Sequence, residues 1–590
     1  MGLALSVAGC TSDAEPVAEP PQGMSEQELN LWVSATMRRM SLEDKVSQLF
    51  VTYIYGQSAD AVDPKNQEAF KEDTPAKVVE HYRPGGIIYF NNDVRDNIDN
   101  PKQIAAFSNG LQRAALRTGV RIPLFIATDQ EQGLVTRIGP PATAFPGNMA
   151  VCASRNADDA KTAARITGNE LRAMGVNVDF APDADVNSNP ANPVIGVRSF
   201  SSDPALTAQF VTAQVEGYQR SWNVLQTVSA TAKHFPGHGD TSEDSHSTLP
   251  KIERTKEEWS RIEAVPFRAA AQAGIDAIMT AHIRVPKIDP SGEPSTLSRA
   301  IVTGLLRDDL GYKGLIITDS LEMEGVRKMH PDSEIPVLAL EAGVDQLLMP
   351  KDLPGAIRSV LAAVQSGRLT EARIEQSVKR VLEAKFRRGI VIRPLVDEDD
   401  VLETVGAPDH LADAARITDR TVTVLRNEGN LLPFRAPPAN VLVAGASTVA
   451  VPALAASLQS RGSRATSKPT GTTPSDAVIA DAVSAANQSD AVIVLTSGMS
   501  TNAAQQKLVQ SLVATNKPVV AVAVRNPYDA AYVDRAPAWL ATYSSSTGSM
   551  ESTAKVLLGE VAPVGKLPVS IPASNDPNTE RYPLGHGLTW

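Results

Sequence analysis

The densest group of reactive side chains in this chain lies between Lys233 and His246. The segment carries one lysine, three histidines and acidic residues, interrupted by a proline and two glycines. Proline and glycine break helix and strand periodicity, so we predict a loop. The preceding apolar run, residues 228–232, predicts a short buried strand. A strand that leads into a polar loop is where α/β folds place their chemistry, so this segment indicates a site that binds a polar ligand and moves protons.

Asp319 is a candidate nucleophile. It ends an apolar run that begins at Gly314, and a carboxylate at the end of a buried strand costs desolvation energy unless it has a use. Facing the anomeric carbon of a sugar, it could attack at an oxocarbenium-like transition state. Its alternative role is to cap the helix that follows.

Asp244 and His246 form a candidate acid–base pair. Residues two apart in an extended segment point their side chains to the same side. The carboxylate could then orient and stabilise the imidazole, as in other acid–histidine pairs. The ordinary pKa of histidine lies near neutrality, which suits a group that both donates and accepts a proton.

Polar residues also follow other predicted strands, where a barrel would bring them to one face. These groups are Asp129 with Arg137, Arg198, and Asp319 with Glu322. The hydroxyl groups of a pyranose ring require donors and acceptors of this kind. The candidate substrate-binding residues are Asp129, Arg137, Arg198, Lys233 and His234.

A metal site is an alternative interpretation of the same loop. Imidazole and carboxylate groups are common metal ligands, and the possible ligands here are His234, His238, Asp240 and His246. Their spacing matches no common zinc motif. We therefore predict that the site needs neither a metal nor another cofactor.

The composition excludes some classes of partner. The net charge of −11 argues against nucleic acid, because phosphate binding needs a basic excess. It also disfavours electrostatic docking on anionic lipids. The length of 590 residues predicts at least two domains. The sequence leaves the oligomeric state open.

Residues 1–29 look like a bacterial lipoprotein signal followed by a flexible tether. Cys10 follows a short apolar run that ends in small residues, the pattern of a cysteine that is lipidated after cleavage. Residues 11–23 are rich in Pro, Glu and Ala, which favours a flexible segment. We therefore expect an extracytoplasmic protein that faces the cell wall and touches the membrane only through a lipid on Cys10.

Residues 30–390 predict an α/β fold with a (β/α)8 TIM-type barrel. Short apolar runs alternate there with amphipathic stretches such as 157–174 and 205–219. A doubly wound sheet is the alternative. The predicted strands are 48–53, 86–90, 124–128, 176–181, 229–233, 277–281, 315–318 and 346–349.

A linker and a second domain follow the predicted barrel. The linker, residues 391–415, is acidic and contains proline. Residues 416–590 predict a smaller α/β sandwich domain, an open sheet with helices on both faces. Its predicted strands include 441–443, 491–495, 519–524 and 540–542.

These motifs resemble glycoside hydrolase family 3, in its β-N-acetylglucosaminidase branch. The long loop signature is matched by Lys233-His234-Phe235-Pro236-Gly237-His238-Gly239-Asp240 with Asp244-Ser245-His246. Residues 187–200, 279–282 and 317–323 also fit. In the second domain, residues 421–433, 565–569 and 582–588 resemble the beginning and end of the family's C-terminal domain. The resemblance covers nearly the whole chain after residue 30.

The resemblance implies a retaining mechanism without a cofactor. Asp319 would be the nucleophile that forms a glycosyl-enzyme, and His246, paired with Asp244, would be the acid/base. The Asp-x-His pair distinguishes this branch from the β-glucosidases of family 3, in which a glutamate from the second domain is the acid/base. The N-acetylglucosamine in the −1 subsite would be held by Asp129, Arg137, Arg198, Lys233 and His234. Gln132, where the family usually has glycine, is a departure that leaves Asp129 and Arg137 in register.

The resulting functional prediction is an exo-β-N-acetylhexosaminidase. It would hydrolyse terminal β-linked N-acetylglucosamine from peptidoglycan (GlcNAc-MurNAc) fragments in cell-wall turnover. Phosphorolysis stays open, because a neutral histidine repels phosphate less than a carboxylate does. A broad β-glucosidase-type exo-glycosidase also stays open, although Asp244 and His246 argue against it. The remaining alternatives are a non-catalytic cell-wall-binding lipoprotein and a metal-dependent hydrolase.

Overall fold

The structure is a computed structural model that describes residues 25–221, 223–245 and 247–590. Two residues with predicted roles, Cys10 and His246, lie outside the described residues. Within the described ranges, no helix combines the length and the apolar character that crossing a membrane requires.

The first domain is built on eight parallel strands. All of them are fully buried, which explains why most are apolar runs instead of alternating patterns, although β4 also buries Asp179 and β5 buries Lys233 and His234. The strands are β1 Phe50–Thr52, β2 Gly86–Ile88, β3 Phe125–Thr128, β4 Val178–Asp179, β5 Ser229–Phe235, β6 Ala277–Thr280, β7 Leu315–Thr318 and β8 Leu347–Leu348.

These strands close into a barrel. Neighbouring strands pair in chain order from β1 to β7, and β8 pairs with β1, where Phe50 lies opposite Leu347. The last gap is bridged beside β8, where the Thr318 N–H donates to the Gln346 carbonyl at 3.0 Å. The predicted TIM-type barrel is therefore confirmed, and each of its eight predicted strands overlaps an observed one.

The predicted loop begins later than we expected. Strand β5 continues through Lys233 and His234 to Phe235, so the first three residues of that segment belong to the barrel wall. Phe235 pairs with Thr280 of β6, and its ring packs against Trp259 and Phe267. Because the strand continues, Lys233 and His234 have fixed backbones.

Helices surround the barrel, and residues 300–309 form a π-helix. The α-helices are α1 Glu26–Arg39, α2 Leu42–Ser47, α3 Pro64–Phe70, α4 Pro75–Tyr82, α5 Pro101–Arg117, α6 Asn148–Ala153, α7 Ala157–Ala173, α8 Pro204–Gln219, α9 Lys256–Arg261, α10 Ala264–Gln272, α11 Glu324–Arg327, α12 Ile335–Ala342, α13 Leu353–Gln365 and α14 Glu371–Arg387.

Local sequence explains where several of these helices begin. Thr74, Asn100 and Asp203 each accept a hydrogen bond from the backbone N–H three residues later, which caps α4, α5 and α8. In all three helices the residue directly after the cap is proline. Its fixed φ suits the first helical position, and its missing N–H costs nothing there. These caps end the loops that leave the barrel strands.

Two helices follow the barrel, α15 Val401–Thr404 and α16 Pro408–Asp419. The stretch predicted as a linker lies against the barrel. His410 Nδ1 is 2.8 Å from a carboxylate oxygen of Glu170 on α7, and the Gly406 N–H donates to the same oxygen. Helix α16 runs across the predicted boundary between residues 415 and 416.

The second domain is an open sheet with an antiparallel edge strand, β9. The strand order is β11-β10-β12-β13-β14-β9. The strands are β9 Thr423–Asn427, β10 Asn440–Gly445, β11 Arg464–Pro469, β12 Ala491–Thr496, β13 Val519–Ala523 and β14 Ala538–Ala541, and a hairpin adds β15 Ile571–Ala573 and β16 Asp576–Tyr582. Its helices are α17 Ala450–Gln459, α18 Asp476–Asn487, α19 Ala503–Val513 and α20 Thr547–Leu557.

One apolar core joins the two domains. Met149, Ala150 and Val197 of the barrel domain pack in the same cluster as Met499 and Tyr528 of the second domain. Backbone hydrogen bonds cross the same boundary, including one from the Lys566 N–H to the Ala153 carbonyl at 2.9 Å. The second domain is thereby fixed to the face of the barrel that carries the predicted site.

Candidate active site

A cavity of about 360 Å³ opens at the carboxyl ends of the barrel strands. This volume is within the range of about 300–1,000 Å³ that is typical of small-molecule sites. Eight of the residues singled out from the sequence line it: Asp129, Arg137, Arg198, Lys233, His234, His238, Asp319 and Glu322.

Asp319 directly follows β7 and is half-buried at the cavity wall. Its backbone N–H donates to the Thr280 carbonyl of β6 at 3.1 Å, so the neighbouring strand fixes its Cα. One carboxylate oxygen accepts the Ser320 N–H at 2.7 Å. This bond does not cap a helix, because the next helix, α11, begins at Glu324.

Lys233 is surrounded by two carboxylates. Its Nζ lies 2.8 Å from Asp129 Oδ1 and 2.6 Å from Glu131 Oε1. Burial lowers the pKa of Lys233, but the charges of Asp129 and Glu131 outweigh burial and hold that pKa above its ordinary value. The ammonium is therefore charged throughout the physiological pH range.

Arg198 forms a bidentate ion pair with Glu131. Its Nε and Nη2 each donate to a different carboxylate oxygen at 2.8 Å. Burial raises the pKa of Glu131, but Arg198 and Lys233 outweigh burial and hold the net pKa below its ordinary value. Glu131 therefore fixes two cavity cations in place.

His234 is oriented by a buried acid. Its Nδ1 is 2.7 Å from Asp185 Oδ2, and its Nε2 is 3.3 Å from Arg198 Nη2. Because the arginine can only donate, the Nε2 atom accepts, and Nδ1 then carries the proton toward Asp185. This fixes both the tautomer and the ring plane of His234 at the cavity surface.

His238 anchors the loop that leads toward the predicted acid–base pair. Its Nε2 is 2.9 Å from Ser245 Oγ, and its Nδ1 is 3.1 Å from Thr241 Oγ1. Burial lowers the pKa of His238 to about 4. Ser245 lines the cavity, and the backbone carbonyl of Asp244 accepts hydrogen bonds from the residues at 247 and 248.

Arg95 and Glu322 also line the cavity and form an ion pair. The Arg95 Nη2 lies 2.8 and 2.7 Å from the two carboxylate oxygens of Glu322. The guanidinium also stacks over the Tyr53 ring at 3.7 Å from its centroid. Glu322 is three residues after Asp319, so this pair fixes the segment that follows the predicted nucleophile.

The residues closest to a metal-ligand arrangement differ from the set that the sequence suggested. Within the described part of the chain, Asp183, Asp185 and His234 bring ligand atoms within 4.8 Å of one another. Arg198 Nη2 lies 3.7 Å from Asp183 Oδ2 and already places a cation beside this group. Burial, followed by the charge of Asp185, raises the pKa of Asp183 well above its ordinary value.

Gln132 stands where the resemblance leads us to expect glycine, and its side chain forms hydrogen bonds. Its backbone adopts a positive φ of 70°, the conformation that glycine otherwise supplies. The side-chain amide donates to Thr167 Oγ1 at 3.0 Å and accepts the Phe145 N–H at 3.1 Å. These bonds hold the turn between Asp129 and Arg137.

Four important residues were not found from the sequence. Glu131, Asp183 and Asp185 follow β3 and β4, so the strand-end signal used for Asp129 could have found them. Arg95 lies in a polar loop after β2 and carries no such signal. Its importance comes from the contacts with Tyr53 and Glu322, which only folding creates.

Two family models match the chain. The first is the glycosyl hydrolase family 3 N terminal domain, over residues 41–384, and the second is the glycosyl hydrolase family 3 C-terminal domain, over residues 422–590. Together they cover both domains described above.

Two named relatives and one solved structure are also similar to this chain. Beta-hexosaminidase A of Pseudoalteromonas piscicida is 35% identical over 384 residues, which are 61% of this chain and 62% of that protein, so the match spans less than two thirds of its length. A beta-N-acetylglucosaminidase/beta-glucosidase of Cellulomonas fimi is 28% identical over 68% of both chains. The structure of a family 3 beta-N-acetylglucosaminidase from Paenibacillus sp. str. FPU-7 is 35% identical, with a TM-score of 0.81, over 90% of this chain and 99% of that one.

Proposed function

The chain belongs to glycosyl hydrolase family 3 and is a glycoside hydrolase, and from this premise we propose that it is a retaining exo-β-N-acetylglucosaminidase. The observation that carries the proposal is the position of Asp319, whose half-buried carboxylate shares one cavity with Asp129, Arg137, Arg198, Lys233 and His234. The names of the relatives from Pseudoalteromonas and Paenibacillus support the choice of sugar.

The proposed reaction has two displacements. Asp319 attacks the anomeric carbon, the bond from that carbon to the leaving oxygen breaks, and His246 gives its proton to that oxygen. Water then attacks the same carbon and loses a proton to His246, and the bond to Asp319 breaks. The sugar leaves with retained configuration, and both residues return to their starting states.

The binding residues divide into donors and acceptors. Lys233 and Arg198 offer N–H donors held by Glu131, while Asp129 offers carboxylate oxygens to ring hydroxyls. These groups are fixed before the substrate arrives, so little reorganisation is needed at the transition state. This preorganisation is the physical reason for assigning Lys233, Arg198 and Asp129 to the binding of the sugar that reacts.

The enzyme assay compares 4-nitrophenyl β-N-acetylglucosaminide with the β-glucoside, using the whole chain. We expect a strong preference for the N-acetyl sugar in kcat/KM. We also expect Asp319→Asn to lose several kcal/mol of transition-state stabilisation, roughly a thousandfold or more in rate. Preference for the glucoside would refute the proposed sugar specificity. Full activity of Asp319→Asn would refute the role of Asp319 as the nucleophile. Formation of a sugar phosphate when phosphate is added would instead identify a phosphorylase.

The natural substrate and the location are further parts of the proposal. A lipid anchor on Cys10 would place the enzyme at the cell wall, where GlcNAc-MurNAc fragments are available. Radiolabelled palmitate should be incorporated into the wild type and not into Cys10→Ser when either is expressed in a bacterial host. Soluble muropeptides should lose N-acetylglucosamine on incubation with the enzyme, and intact fragments after incubation would contradict this substrate.

A further inference from the structure

A short turn lies between the cavity and the second domain. Residues Gly196–Arg198 form one turn of 3₁₀-helix after β4. The Arg198 side chain lines the cavity, whereas the Val197 side chain packs into the apolar core of the second domain. Movement of the second domain at this point would therefore displace a cavity residue.

Asn526 of the second domain contacts this turn directly. It lies in the loop after β13, and its Oδ1 accepts the Val197 N–H at 3.1 Å. The approach is close because residue 196 is glycine, with a φ of 47°, and a Cβ there would lie 2.5 Å from the same oxygen. The two sides of the boundary thus fit each other at the level of single atoms.

The loop that carries Asn526 is itself held in place. Residues Pro527–Ala531 form a 3₁₀ turn, and the carboxylate of Asp529 accepts the Met499 N–H at 2.7 Å. The hydroxyl of Tyr528 accepts a hydrogen bond from Asn187 Nδ2 at 2.8 Å, and both residues are buried. Asn187 follows Asp185 by two positions, and Asp185 is the partner of His234. The bond to Tyr528 therefore holds the segment that carries Asp185.

We propose that Asn526 is a positioning residue, which acts through the Gly196–Arg198 turn to place Arg198 in the cavity. Its kinetic consequence rests on the proposed function. The other bonds that hold the Arg198 backbone are its N–H to the Ile195 carbonyl and its carbonyl to Asn148. Without the Asn526 acceptor the turn can shift, and a displacement of about 1 Å at a binding group can cost on the order of 100-fold in rate.

The kinetic test compares Asn526→Ala with Asn526→Asp. We expect Asn526→Ala to lower kcat/KM by about tenfold or more, mainly through KM, because Arg198 would be misplaced for binding. Asn526→Asp retains an acceptor for the Val197 N–H and should recover most of this loss. In an Arg198→Ala background, Asn526→Ala should add less than about twofold, since the residue it positions is gone. Equal losses in both backgrounds would overturn the proposal.

A matched control is Asn502→Ala in the same domain. Asn502 caps α19 by accepting the N–H groups of Ala504 and Gln505, and its amide donates to Thr472 and Thr473. Its bonds stay within the second domain. Loss of this cap should lower Tm while kcat/KM stays within about twofold of the wild type. A similar kinetic loss in Asn502→Ala would show that general destabilisation explains the effect of Asn526→Ala.

Amide hydrogen exchange tests the contact independently of activity. Asn526→Ala should accelerate exchange in the peptide that contains Val197 and Arg198, whereas Asn502→Ala should leave that peptide unchanged. If the wild type does not hydrolyse the N-acetylglucosaminide, the proposed function fails, and the exchange result still decides whether Asn526 holds the turn. Unchanged exchange in Asn526→Ala would refute the positioning role.

Discussion

Glu131 carries the electrostatic balance of the cavity at the scale of single residues. It is almost fully buried and accepts three hydrogen bonds or ion-pair contacts, two from Arg198 and one from Lys233. A buried cation without its partner is costly, because the interior solvates charge poorly. The positions of Arg198 and Lys233 in the cavity therefore depend on Glu131.

Glu131→Gln should destabilise the fold and weaken substrate binding. We expect a loss of about 3–5 kcal/mol in the free energy of unfolding, because Arg198 and Lys233 stay buried with less negative charge nearby. Urea titration measures this loss. Glu80→Gln is the control, because Glu80 pairs with the exposed Arg117 and should cost about 0–1 kcal/mol. A similar small cost for both variants would contradict this role of Glu131.

His246→Ala should harm substrates in proportion to their need for a proton. We expect a loss of roughly 10²–10⁴ in kcat/KM for a disaccharide, and a much smaller loss for 4-nitrophenyl glycosides, whose leaving group departs without protonation. The exposed His81 provides a control, and His81→Ala should leave both rates unchanged. Equal losses on both substrates would argue against the acid role.

The site residues that could be predicted from the sequence are those whose position along the chain follows a simple rule. A polar residue directly after an apolar run was expected at the carboxyl end of a barrel strand, and Asp129, Lys233 and Asp319 lie there. Arg95 could not be predicted, since its position depends on the path of the loop after β2. The same holds for Asn526, which contacts the Gly196–Arg198 turn from another domain.

At the scale of elements, strand β5 and its loop form one unit that His238 holds together. The strand fixes Lys233 and His234, and the His238 imidazole then ties the loop back through Thr241 and Ser245. Burial of this imidazole favours its neutral form, although Asp185 nearby favours the cation. The order of the loop is therefore sensitive to acid.

The loop interactions predict a pH dependence of stability. The pKa of His238 is about 4 in the folded protein and about 6.5 when unfolded. The unfolded chain therefore binds more protons between these values, so stability is complete above about pH 6.5 and falls as the pH drops toward 4. Urea unfolding of the wild type and of His238→Gln should show a smaller decline for the variant. Parallel pH profiles would contradict this source of acid sensitivity.

Elements were predictable where burial dictated composition. All eight barrel strands are buried and most are short apolar runs, and they were located from that pattern. Strand β11 was missed because it lies at the edge of its sheet and alternates little, with Arg464, Thr466 and Ser467 exposed. The extension of β5 was missed because Pro236 and the glycines suggested an earlier turn.

At the scale of the whole molecule, the apolar cluster shared by the two domains predicts that both domains unfold together. Differential scanning calorimetry of the wild type should show one cooperative transition. Ala150→Asp should split or broaden it, because Ala150 is 1% exposed in the shared core and a buried charge there costs several kcal/mol. Ala61→Asp, at an exposed position, is the control and should leave one transition. Two separate transitions in the wild type would contradict the prediction.

The pairing of β1 with β8 also has a consequence for biosynthesis. The contact between Phe50 and Leu347 joins residues about 300 positions apart. At ribosomal rates of about 5–20 residues per second, β1 is made roughly 15–60 s before its partner. Throughout that interval one edge of β1 lacks the strand that will cover it, and open strand edges promote association between chains. We therefore expect β1 to be exposed to association with other chains until β8 has been made.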